Sequence, residues 1–114
     1  MTIQEAIKKA DSLRPNMIDD TIKADWVWEC EMGLADLTKA EKGENPFPAD
    51  YELAMPVPYD NIYYLYLMAM IDYYNQDSEL YANDMAMYNE ACGEARRWWR
   101  RHHLPFDTTL NWKV

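Results

Sequence analysis

The sequence predicts a mostly α fold: a compact bundle of about four helices, with a long proline-rich loop between helices 2 and 3 and an extended C-terminal tail. Three observations point there. Apolar residues recur at helical spacing over most of the 114 residues. The six prolines fall between those periodic stretches and never inside them. Hydrophobic residues make up 49% of the chain, enough for one domain spanning residues 1–114 to bury a core without disulfide staples.

The first helix is expected over residues 3–13. Thr2 followed three residues later by Glu5 is a capping-box pattern, and Ile3, Ala6, Ile7, Ala10 and Leu13 make one apolar stripe. Pro15 stops it, because the ring disfavours helical geometry at Arg14. Asp19 or Asp20 then offers a cap for a second helix over residues 21–40. Its inward face is expected along Ile22, Trp26, Cys30, Gly33 and Leu37, widened by Val27 and Leu34.

Periodicity disappears over residues 41–58, which contain Gly43 and four prolines. A connection this long in a small domain is commonly functional or disordered. The alternation of Tyr51, Leu53, Met55 and Val57 allows a short strand, and this apolar content favours an ordered arm. The third helix is expected over residues 59–75, with a seam of Ile62, Tyr66, Ala69 and Tyr73. Apolar residues surround it nearly all round, the mark of a central helix. Asp77 or Ser78 caps the fourth, along which Tyr81, Met85, Tyr88, Cys92, Ala95, Trp99 and His102 recur at alternating steps of four and three. The short break between these two helices makes them antiparallel neighbours. Pro105 ends the last helix. The tail, residues 104–114, carries Leu104, Phe106, Leu110, Trp112 and Val114, enough apolar surface to dock on its own domain or on a neighbouring subunit.

Charge divides the chain unevenly. Residues 1–95 hold 19 acids and 6 bases, whereas residues 96–114 hold 1 acid and 5 bases, within a total of −9. An acidic body repels phosphates, which disfavours general nucleic-acid binding. An acidic body with one basic end can instead join identical subunits head to tail, and such heterologous contacts generate rings. The longest uncharged run, residues 61–71, is roughly half of the ~20 residues a membrane span needs. No charged-then-apolar segment with a cleavage site opens the chain, so the expected location is the cytoplasm of the cell that makes it. Cys30 and Cys92 lack metal-type spacing and read as free, largely buried thiols.

Catalytic patterns are scarce. His102 and His103 are adjacent and point about 100° apart on a helix, which does not suit chelation of one metal. No H-x-x-x-H or C-x-x-C pair supplies further ligands, and three glycines leave no phosphate loop. Asp19 and Asp20 suit helix capping better than acid–base work. The run Arg96, Arg97, Trp98, Trp99, Arg100, Arg101 admits three readings. Cations complement the negative end of a helix dipole, Arg and Trp are enriched at interface hot spots, and interleaved bases and aromatics can hold nucleic acid. The tyrosines read as core and interface rather than a ligand cage. The candidate oligomer or partner interface is therefore Arg96, Arg97, Trp98, Arg100 and Arg101 on the last helix, Tyr51 and Leu53 on the arm, and Phe106, Leu110 and Trp112 on the tail. No catalytic, cofactor or metal residue is assigned.

Two stretches, TIQEAIKKADSLRPNMIDDTIKADWVWECE and VPYDNIYYLYLMAMIDYYNQDSELYANDMAMYNEACGEARRW, span most of the chain. In their phrasing and helix order they resemble the small head–tail connector (head-completion, neck) proteins of long-tailed bacteriophages and prophages of Gram-positive bacteria. That resemblance implies a helical, non-enzymatic subunit without a cofactor, able to stay monomeric until it meets the portal and twelvefold as a ring below it. Its implied partners are further copies of itself, the portal protein and a downstream neck or tail-completion protein. DNA would pass without sequence-specific binding, and no membrane is involved. The implied location is the virion neck, with the host cytoplasm during assembly. The other reading of the residues is a small helical adaptor or regulatory module that binds one host or phage protein.

Overall fold

The computed structural model describes residues 1–48 and 50–103; the proposed docking tail, residues 104–114, lies outside the described residues. The described chain is mostly helical, in the order α1 (Ile3–Leu13), α2 (Asp20–Met32), α3 (Ala35–Thr38), α4 (Asn61–Tyr74) and α5 (Ser78–His103). The expected box caps α1: Glu5 N donates to Thr2 Oγ1 at 3.1 Å and Thr2 N to Glu5 Oε1 at 2.8 Å. Asp19 caps α2 by accepting from Thr21 N at 2.8 Å. Asp77 caps α5, with Leu80 N donating to its Oδ1 at 3.1 Å.

One helix was expected over residues 21–40, and the chain makes two. At Gly33 the ladder tightens, Leu34 N donating back to Glu31 O at 3.1 Å. The Gly33 carbonyl, freed from the helix, accepts from Arg96 Nη2 at 2.9 Å. Lys39, in the left-handed region at φ 65°, ends α3. The buried face of α2 is also rotated from the expected one. It consists of Lys23, Ala24, Val27, Trp28, Cys30 and Glu31, while Ile22 is 39% exposed. The rotation is possible because both charged residues find partners inside, so burial does not leave them unpaired. Lys23 Nζ bonds Asp11 at 2.8 and 3.0 Å and Asn16 Oδ1 at 3.1 Å.

α4 is the central element, packed by α1, α2 and α5. Ile62, Tyr63, Leu65, Leu67, Met68, Ala69 and Ile71 are buried. α1 runs parallel to α4, since Met1 lies beside Asp60 and Arg14 beside Asp72. α2 and α5 run against it. α5 joins through a tight turn in which Gln76 takes positive φ and Asp77 N donates to Asp72 O at 2.9 Å. Its 26 residues rise ~39 Å, enough to run from one end of the body to the other. Of the expected α5 seam, Tyr88, Cys92, Ala95 and Trp99 pack on the core, and His102 is exposed.

The arm forms no strand among its described residues; a single antiparallel bridge joins Thr2 and Glu52. A buried carboxylate holds the arm in place. Glu31 accepts from Tyr63 Oη at 2.7 Å and from Ala54 N at 3.0 Å, and Met55 N donates to Tyr63 Oη at 3.0 Å. These bonds satisfy backbone donors that a buried loop would otherwise strand. Leu53 and Met55 thereby enter the core.

Candidate functional site

The last turns of α5 bring the predicted basic residues to the end of the molecule occupied by α3 and the start of α4. Ala95, fully buried, anchors this part of the helix. Arg96 is half-buried: besides Gly33 O, its Nη2 lies 3.5 Å from Asp36 Oδ1. Arg97, Arg100 and Arg101 are exposed and form no ion pair among the described residues. Trp98 stacks on Tyr59 with centroids 5.0 Å apart, and on His102, also at 5.0 Å. Trp99 stacks on His103 at 3.8 Å. The histidines are tied back along the helix, His102 Nδ1 donating to Trp98 O at 2.9 Å and His103 Nδ1 to Trp99 O at 3.2 Å. The result is a rigid aromatic ladder flanked by arginines, a surface whose side chains lose little freedom on contact.

The arm contributes differently from expectation. Leu53 is only 4% exposed and its side chain is spent on the chain's own core, which removes it from the docking set. Tyr51 is half-buried, its ring edge-on to Trp28 at 5.1 Å. Phe106, Leu110 and Trp112 lie outside the described residues.

At the opposite end, the α4–α5 hairpin tip carries a groove of about 720 Å³. Trp26, Met70, Tyr73, Tyr74 and Tyr81 line it, with Asp77 beside them. Tyr73, expected in the internal seam of its helix, is 64% exposed, and Tyr74 is 58% exposed. Tyr73 tilts onto Tyr81 at 5.6 Å and Trp26 meets Tyr74 edge-on at 6.3 Å. No local sequence signal marks this groove, because it forms only where Trp26 of α2 meets Tyr73 and Tyr74 of α4.

Behind the tip sits a buried charge cluster that hydrophobic periodicity does not reveal. Arg14 Nε donates to Asp72 Oδ1 at 3.2 Å, and its Nη2 donates to Asp84 Oδ1 and Oδ2 at 3.2 and 3.0 Å. Both aspartates are 2% exposed, and Asp72 Oδ2 has no hydrogen-bond partner. Burial first, then the neighbouring Asp84, pushes Asp72 up to about 7 against the opposing pull of Arg14. The same burial raises Glu31, partly offset by its bonds from Tyr63 and Ala54. It also raises the Cys30 thiol, whose sulfur donates to Tyr88 Oη at 3.8 Å. Both cysteines are free. Among the described residues no three His, Cys, Asp or Glu side chains converge as a metal site, and no helix is long and apolar enough to cross a membrane.

No protein-family model, curated protein or solved structure matches the chain.

Proposed function

We propose that the chain is a structural, non-enzymatic head–tail connector subunit. It oligomerises as a ring below the portal, extends the DNA channel and joins the capsid to the tail. The observation that carries this reading is the arginine-flanked aromatic ladder at one end of α5, set on an otherwise acidic body. Arg97, Arg100 and Arg101 are presented without described partners, beside rings already held in place by Tyr59 and the two histidines. Such an end suits the acidic flank of a neighbouring copy or of the portal, because complementary charge speeds and orients docking. The excess of acids over residues 1–95 suits a channel through which DNA passes without being held. The head–tail resemblance of the two long stretches supplies the identity of the partners: the portal above, and a neck or tail-completion protein below. The corresponding location is the virion neck, reached from the host cytoplasm.

The test is charge reversal. Arg97→Glu combined with Arg100→Glu alters two exposed side chains, so the fold should keep its stability to within about 0.5 kcal/mol. Ring formation with the portal should be lost. Unchanged assembly of the double variant removes the basic end from the interface.

The groove at the hairpin tip favours a second reading, an adaptor that receives a segment of one host or phage protein, because an apolar cleft with a few polar groups at its rim suits a bound chain. Self-association separates the two. A connector forms rings, alone or on the portal, whereas an adaptor binds its single partner as a monomer or dimer.

A further inference from the structure

The aromatic groove at the α4–α5 tip stands open to solvent, with Tyr73 and Tyr74 largely exposed. Contiguous exposed aromatic surface of this kind marks a contact site. We infer that it receives residues 104–114 of a second copy of the chain. The inference rests on the self-assembling reading above and assigns one of its contacts.

Composition comes first. Residues 104–114 place Leu104, Phe106, Leu110, Trp112 and Val114 among two charged side chains, Asp107 and Lys113. The groove offers tryptophan and tyrosine faces with Asp77 at its edge.

Reach decides whose segment it is. From His103 back to Tyr81 is 22 residues of α5, ~33 Å at the helical rise. Phe106 and Leu110 lie three and seven residues beyond His103. Full extension carries them roughly 11 and 25 Å. Trp112, nine residues beyond His103, reaches roughly 32 Å, so only a fully stretched tail comes near its own groove. Arg97, Arg100 and Arg101, fixed on α5, cannot meet the acidic tip of their own chain. A segment seated there with its basic stem against that tip belongs to another molecule.

Charge fits the same arrangement. The segment leaves α5 beside Arg97, Arg100 and Arg101, and the exposed Asp77 and Glu79 lie at the groove's edge. The two cations nearest that tip are already engaged inside the molecule: Arg14 with Asp72 and Asp84, and Lys23 with Asp11 and Asp20. Basic stem and acidic tip therefore attract. The two surfaces differ, so the contact is heterologous and repeats from copy to copy until a ring closes.

Two measurements on the full chain test this. In the first, p-benzoylphenylalanine replaces Trp112, and light and isotopically heavy chains are mixed, irradiated and digested. Heavy–light cross-links to the peptide carrying Tyr73 and Tyr74 are expected. Cross-links confined to one chain, cross-links to another surface, or none at all overturn the inference. In the second, a groove variant, Tyr74→Glu, and a tail variant, Phe106→Glu with Trp112→Glu, are followed by sedimentation velocity. Each alone should self-associate at least 10-fold more weakly than the parent. An equimolar mixture should form a dimer and stop there, since one intact tail meets one intact groove. A mixture that stays monomeric, or a variant that assembles like the parent, overturns the docking. If the cross-link forms but the chain never binds portal, the connector reading fails and the docking stands. If the tail variant still builds rings on the portal, the docking fails and the connector reading stands.

Discussion

Asp72 makes stability depend on pH in a direction opposite to that of an ordinary salt-bridged carboxylate. In the unfolded chain an aspartate releases its proton near 3.9; buried beside Asp84, Asp72 holds it to about 7. Between those values the folded state binds more protons than the unfolded state, so stability falls as pH rises and levels off above 7. At 1.36 kcal/mol per pH unit between those values the ceiling is about 4 kcal/mol, of which roughly 2–3 kcal/mol is lost between pH 5 and pH 8. Asp72→Asn approximates the protonated form and removes that slope. Urea denaturation at pH 5, 6, 7 and 8 measures it, with protein concentration fixed so that self-association does not contribute. The parent should weaken steadily across the series, and the variant should lose most of this dependence. A remaining shallow slope of the same sign is expected from Glu31, which burial also raises. A parent that gains stability from pH 5 to pH 8, or an Asp72→Asn variant with an unchanged slope, refutes the reasoning.

Other perturbations follow from the same contacts. Arg14→Met leaves Asp72 and Asp84 buried without their cation and should cost about 3–5 kcal/mol at pH 8. It should cost less at pH 5, where Asp72 carries its proton, and thermal melts at the two pH values check this. Tyr63→Phe takes the donor from Glu31 and the acceptor from Met55 N, at about 1–3 kcal/mol. Hydrogen exchange should then quicken at the amides of Ala54 and Met55 before it does in α4. Ala95→Leu inserts bulk where α5 crosses the core and should cost about 1–3 kcal/mol in denaturant titrations.

What the sequence made legible was the part built by local rules. The capping box of Thr2 and Glu5, the stop at Pro15, the Asp19 cap and the Asp77 cap all act within a few residues of themselves. The central character of α4 was legible because almost no polar residue interrupts it. The rotation of α2 was not, because periodicity treats Lys23 and Glu31 as outward-facing. Their partners, Asp11, Tyr63 and the arm backbone, come from distant parts of the chain. Asp84 was hidden for the same reason: its partner Arg14 lies 70 residues away. The alternation in the arm indicated order but not which side chains turn inward. Leu53, expected at an interface, is buried with Met55, and Glu31 and Tyr63 take the hydrogen bonds that a neighbouring strand would have taken. Of the candidate interface, Arg97, Arg100 and Arg101 are exposed, whereas Arg96 is engaged by Gly33 and Asp36 and Trp98 is stacked on Tyr59. The groove at Tyr73 and Tyr74 needed the fold, because it depends on Trp26 arriving from α2.

Co-purification of the chain with a portal protein encoded nearby, imaged by electron microscopy, tests the proposed connector role most directly. A ring of this chain seated below the portal, lost in the Arg97→Glu and Arg100→Glu double variant, is the predicted result. A chain that does not bind portal, together with intact tailed virions from a deletion mutant, contradicts the connector account.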